Sequence, residues 1–79
     1  MKLNGLIFVI TGSLSHFDNR DGLKAVIEQN GGIVGSTVTS KTNYLISNDK
    51  NSNSSKTTKA KNLKIPILSE EEFLKLVFH

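Results

Sequence analysis

A small parallel β-sheet flanked by helices, an α/β fold, is the expected architecture of this 79-residue chain. The run Leu6-Ile7-Phe8-Val9-Ile10 is continuously apolar rather than alternating, the mark of a strand covered on both faces, as strands of parallel sheets are. Segments with helical periodicity separate the short apolar strands, which implies parallel strands joined by right-handed crossovers. The link at 37–42 is too short to carry a helix between neighbouring parallel strands. The second and third strands are therefore expected on opposite sides of a central first strand.

The element order read along the chain is β-α-β-β-α-β-α. After the first strand a polar loop covers 13–18, and Asp18 or Asn19 can cap a helix starting near Arg20. In that helix Leu23, Val26 and Ile27 form a narrow apolar stripe. Gly31-Gly32 stops it, because glycine enters the left-handed conformation without a Cβ clash. A second strand is expected at 33–36 and a third at 43–47, joined by the polar stretch 37–42. Residues 48–55 are rich in Asn and Ser and read as a loop. A second helix is predicted from Ser55 to about Leu63, with Ala60 and Leu63 as its apolar contacts and the rest of its surface wet. Ile65-Pro66-Ile67-Leu68 is a short fourth strand whose proline points to an edge position or a strand start. Ser69 and Glu72 then form an S-x-x-E capping box opening the last helix. Acids at 70, 71 and 72 suit the positive end of its dipole, and Phe73, Leu74, Val77 and Phe78 are expected to supply its core face.

Composition bounds the function. A chain this short is expected to be one domain, spanning 1–79, with one thin core and no room for a cleft between domains. It has no cysteine, so a disulfide framework, a thiolate zinc site and a cysteine nucleophile are excluded, and a cytoplasmic location fits. The apolar run at 6–10 is too short for a membrane span or a signal segment. His16 and His79 have no partner at ligand spacing, so neither metal nor cofactor is expected. Phosphate-binding loops of the GxxxxGK[ST] and GxGxxG types are absent, and the acids at 70–72 read as a helix start rather than an acid/base pair. Net charge is +3, weak by itself as a sign of nucleic acid. Its distribution is more informative: Lys50, Lys56, Lys59, Lys61 and Lys64 place five of ten basic residues within 50–64.

The landmarks in series resemble the BRCT family. Leu6-Ile7-Phe8-Val9-Ile10-Thr11-Gly12-Ser13-Leu14 is similar to its opening strand, which ends in Thr-Gly. Residues 19–34 (NRDGLKAVIEQNGGIV) resemble its first helix and Gly-Gly turn. Ser40-Lys41-Thr42-Asn43-Tyr44-Leu45-Ile46 resembles its third strand, and Ser55-Lys56 with Lys59-Ala60 its second helix. The segment 65–73 resembles the entry to its last helix. The resemblance covers essentially the whole chain. It implies a three-layer sandwich: a four-stranded parallel sheet in the order 2-1-3-4, with two helices on one face and one on the other. Phe73 stands where many members carry Trp. Domains at the C-terminus of bacterial NAD-dependent DNA ligases are similar in this respect. The expected role is then a non-catalytic module, with the adenylation chemistry and NAD in another domain of a longer parent chain at the bacterial nucleoid.

The resemblance also implies a site. A phosphate needs a close hydroxyl or backbone N–H, a small residue that permits approach, and a cation. The turn Thr11-Gly12 lies where α/β sheets bind ligands. Thr11 and Ser13 offer hydroxyls and Gly12 the close backbone, Lys56 matches the family's pocket lysine, and Arg20 matches the arginine of members that bind a DNA 5′-phosphate. Read singly, Thr11-Gly12 is a tight turn, Lys56 a solvated lysine and Arg20 a surface residue, with Asp18 and Asp21 able to balance it. Lys59 and Lys61 are expected to form a secondary basic face with salt-sensitive affinity for the DNA backbone. Tyr44 and Phe73 read as core aromatics rather than base-stacking platforms. The expected ligand is nicked or 5′-phosphorylated duplex DNA. The alternative is a protein partner, either a phosphopeptide or a second BRCT domain; no second repeat is present to support tight phosphopeptide binding.

Overall fold

The computed structural model describes residues 2–15, 17, 19–51 and 53–78; Asp18 and the two histidines weighed above lie outside them. The chain forms β1 (Ile7–Ile10), α1 (Arg20–Gln29), β2 (Ile33–Gly35), β3 (Tyr44–Ile46), α2 (Ser55–Asn62), β4 (Ile67–Leu68) and α3 (Glu70–Phe78). All strand pairs are parallel and the sheet order is β2-β1-β3-β4. The short link between β2 and β3 does separate them across β1, and Pro66 immediately precedes the edge strand β4. Asn43 anchors the entry to β3. Its backbone N–H donates to the Ile7 carbonyl at 2.8 Å and its Oδ1 accepts from the Ile7 N–H at 2.7 Å.

Alternation along the strands makes two cores. Phe8, Ile10 and Ile46 face one way and pack with Leu23 and Ile27 of α1 and Phe73 and Val77 of α3. Val9 and Leu45 face the other way and pack with Ala60 of α2, Val38 and Ile65. Two helices thus cover one face and one covers the other. Phe8 is the aromatic centre: Tyr44 stacks on it at 5.4 Å and 19°, and Phe73 meets it edge-on at 5.5 Å and 79°.

Three core expectations need correction, and one core residue, Leu3, was not anticipated. Leu3 is fully buried. Its N–H donates to the Asn30 carbonyl at 3.0 Å, and the Gly5 N–H donates to the Gly31 carbonyl at 3.1 Å, so the segment before β1 closes the end of α1. Val38, inside the stretch read as polar, is buried in the second core. Leu63 is 40% exposed, because α2 ends there and Ile65 takes the inward place after the chain reverses. Phe78 is 70% exposed. It lies one position past Val77, a rotation of about 100° away from the sheet.

Caps set the helix ends. Asn19 Oδ1 accepts from the backbone N–H groups of Asp21 at 2.9 Å and Gly22 at 3.4 Å. Both C-terminal stops are Schellman turns. Gly32 N–H donates to the Ile27 carbonyl and Gly31 N–H to that of Glu28, at 2.9 and 3.1 Å. Ile65 N–H donates to the Ala60 carbonyl and Lys64 N–H to that of Lys61, at 2.8 and 3.1 Å. The first uses Gly31 at φ +86° and the second Lys64 at φ +58°. In α3 the capping box forms as expected, Ser69 Oγ accepting from Glu72 N–H at 3.1 Å and Glu72 Oε1 from Ser69 N–H at 2.9 Å.

Candidate nucleic-acid interface

Arg20 and Lys56 come from helices on opposite faces of the sheet, and they meet at its β2 side. Arg20 opens α1 and Lys56 sits in the first turn of α2. Together with Lys24, Ile10, Val34, Gly35 and Ser36 they line a hollow of about 220 Å³. Lys24 lies four residues after Arg20, hence on the same side of α1. That spacing is legible in the sequence. Ser36 enters because the chain leaves β2 at Gly35 and turns across the hollow. Among the described residues, neither Arg20, Lys24 nor Lys56 is ion-paired. Asp21, weighed above as a balance for Arg20, makes no ion pair with it.

Thr11, Gly12 and Ser13 follow Ile10 directly but do not line this hollow. Thr11 is buried, and its N–H is committed to the Ile46 carbonyl at 3.0 Å, so it extends the β1–β3 ladder. Gly12 has φ +81°, and a Cβ there would meet only Ser47 Oγ at 3.9 Å. Conformation, not space, calls for glycine. Gly12 and Ser13 are exposed at the C-terminal edge of the sheet.

The basic run 50–64 divides into different roles. Lys59 lines a second hollow with Thr37, Val38, Ser55 and Lys56. Lys61 is exposed and lines neither hollow; five residues beyond Lys56, it is rotated by about 140° around α2. Lys64 forms the helix stop. Lys50 is taken up by Glu72, Nζ to Oε1 at 2.5 Å. This Lys50 contact, with the Ser69 N–H, holds the Glu72 carboxyl at about 2 instead of its ordinary 4.5.

Glu70 is the polar residue that sequence reasoning missed. It is fully buried. Its Oε1 accepts from the Ser15 N–H at 2.5 Å, the Ser15 hydroxyl at 3.2 Å and the Asn48 side-chain amide. The Glu70 N–H in turn donates to Asn48 Oδ1 at 2.9 Å, and the Asn48 amide reaches the Ser13 carbonyl at 3.3 Å. One carboxyl thereby ties the loop after β1, the loop after β3 and the start of α3 together. Periodicity separates Glu70 from its two acidic neighbours, because it stands three and seven residues before Phe73 and Val77 on the buried face of α3. Among the described residues no cluster suited to a metal ion occurs, and no helix is long and apolar enough to cross a membrane.

Comparison with known proteins matches this sequence to a family. Residues 1–77 match the BRCA1 C Terminus (BRCT) domain. The chain is 60% identical to the DNA ligase of Lachnoclostridium phytofermentans over 76 residues, which are 96% of this chain and 12% of that ligase. It is 64% identical to the DNA ligase of Ruminiclostridium cellulolyticum over 69 residues, 87% of this chain and 10% of the ligase. It is 50% identical to that of Mycoplasmopsis synoviae over 76 residues, 96% and 10% respectively. The chain therefore spans only 10–12% of the length of these ligases. With the sheet order, the two-and-one placement of the helices and 77 matched residues in agreement, this chain belongs to the BRCT family.

Proposed function

We propose that this chain is a single BRCT domain, 1–79, working as a non-catalytic binding module of a bacterial DNA ligase. In this reading it is the C-terminal domain of an NAD-dependent enzyme, with the adenylation chemistry in other domains. Its ligand is duplex DNA near a nick or a 5′-phosphate end, which places it at the nucleoid in the cytoplasm. The observation that carries the reading is the convergence of Arg20 and Lys56, from two helices, on one hollow that also holds Lys24 and Ser36. A guanidinium supplies a planar pair of donors to phosphate oxygens and the ammonium groups supply point charges. Thr11, Gly12 and Ser13 form the neighbouring edge, where the Ser13 hydroxyl and the Gly12 backbone face the flanking nucleotide. Lys59 and Lys61 add backbone attraction.

The test is an NMR titration with two short duplexes that differ only in a 5′-phosphate at a recessed end, at two salt concentrations. Shifts at Arg20, Lys24 and Lys56 that require the phosphate are expected. Truncating Arg20 or Lys56 to Ala should then weaken binding to the phosphorylated end about tenfold or more, the worth of a charge-assisted hydrogen bond. Phosphate-independent shifts confined to Lys59, Lys61 and Lys64 would overturn the site. A second reading, contact with a protein partner, is favoured by Leu76 and Phe78, exposed on α3 at 43% and 70%. It requires that Phe78→Ser weaken association with the remainder of the ligase supplied in trans while leaving DNA affinity unchanged.

A further inference from the structure

The hollow holding Arg20, Lys24 and Lys56 has a neighbour of about 270 Å³, lined by Thr37, Val38, Ser55, Lys56 and Lys59. Lys56 lines both, so the two are contiguous around its side chain. Their apolar linings are Ile10 and Val34 in the first and Val38, almost completely buried, in the second. The hydroxyls of Ser36, Thr37 and Ser55 are exposed along them, and among the described residues no carboxylate lines either. Lys50 and Lys75, outside the hollows, are paired with Glu72 and Glu71, whereas among the described residues the four cations inside are not ion-paired. Lys56 and Lys59 stand one turn apart on α2, with Cβ atoms about 5–6 Å from each other.

We propose that the second hollow is a subsite for the next phosphate of the same strand. The terminal phosphate rests on Arg20, Lys24 and Lys56, and the first internal phosphodiester rests on Lys59 and the Thr37 and Ser55 hydroxyls. The inference rests on the function proposed above and adds a strand direction to it: the 5′ end lies at α1 and the strand runs toward α2. The charge count supports that direction. A terminal phosphomonoester carries about −1.5 to −2 at pH 7, and three cations line the first hollow. A phosphodiester carries a single charge, and the second hollow adds one cation to the shared Lys56, completing its donors with neutral hydroxyls.

The experiment is a fluorescence titration of this chain with four duplexes carrying a recessed 5′ end. One bears a 5′-phosphate and one a 5′-hydroxyl. A third has the 5′-phosphate and a neutral methylphosphonate at the first internal linkage, and the fourth has the methylphosphonate at the fifth linkage. Wild type should lose about tenfold in affinity at the first linkage, the loss of a charge-assisted contact, and about twofold or less at the fifth. Lys59→Gln, a change at an exposed helix position, should bind the fully charged duplex about tenfold more weakly and be indifferent to the first-linkage substitution. Equal sensitivity of wild type and Lys59→Gln to that substitution would overturn the subsite while leaving the 5′-phosphate reading intact. Equal affinity of wild type for the phosphate and hydroxyl ends would overturn both.

Discussion

Glu70 and Glu72 are two positions apart and behave as different kinds of residue. Glu72 is solvent-facing, and Lys50 and the Ser69 N–H hold its carboxyl at about 2, below the ordinary 4.5. A carboxyl depressed on folding contributes stability that is fully present above pH 4.5 and is lost as pH falls toward 2. Glu72→Gln keeps the cap but drops the charge, so thermal melts should show the wild type ahead at pH 6 and the two converging by pH 2. Glu70 is buried, and its function is positional. Glu70→Ala removes the acceptor shared by the Ser15 N–H and the Asn48 amide, both part-buried and the second still in reach of the Ser13 carbonyl, at a cost of about 1–3 kcal/mol in all. Urea unfolding should record that loss. Amide exchange should quicken in the loops at 12–15 and 47–49, on which the neighbouring sheet edge depends.

At the scale of the element, the two Schellman stops make a controlled comparison. Gly31 takes a positive φ freely, whereas Lys64 takes φ +58° with a Cβ present, a conformation that costs a non-glycine residue about 1–2 kcal/mol. Lys64→Gly should therefore raise stability, by about 0.5–1 kcal/mol once the greater entropy of an unfolded glycine is subtracted. Chemical denaturation would measure it; a fall in stability would mean that the lysine stem contributes more than the strain removes. Gly32 answers to a different constraint. A Cβ there would lie 2.6 Å from Ile27 Cγ2 and 3.1 Å from the Ile27 carbonyl, so the second glycine of the pair is required by contact and the first by conformation.

For the molecule as a whole, a chain of this length is expected to hold roughly 0.05–0.15 kcal/mol per residue, about 4–12 kcal/mol in all. Phe8 joins β1, β3 and α3 through Tyr44 and Phe73. Phe8→Ala should remove about 3–5 kcal/mol, a large share of that total, and calorimetry should show a broad transition at much lower temperature. Charge is also a whole-molecule property. If the four cations of the paired hollows neutralise the two phosphates proposed for them, the plot of log affinity against log salt should have a slope of roughly −2. A slope near −1 would leave a single phosphate contact.

Features that depend on neighbours along the chain were legible beforehand: the buried first strand, a cap at Asp18 or Asn19, the Gly31-Gly32 stop, the Ser69–Glu72 box and the separation of β2 from β3 by a short link. Each follows from backbone hydrogen-bonding geometry or from side-chain period, and both are local. The series of such landmarks also carried the family. What depends on residues distant in sequence was not legible. Leu3 reaches the core only because it docks on the end of α1, and the carboxyl of Glu70, on the inward face of α3, is satisfied only because Ser15 and Asn48 converge on it. Lys50 leaves the basic face only because Glu72 lies across from it. Arg20 and Lys56, named separately from the sequence, line one hollow together with Lys24 only because the first turns of α1 and α2 both reach the end of β2. The sequence by itself determined the elements, their order and the charges available. The tertiary structure decided which of those charges are neutralised and which are gathered, because burial and ion pairing depend on distances in space that local pattern does not encode.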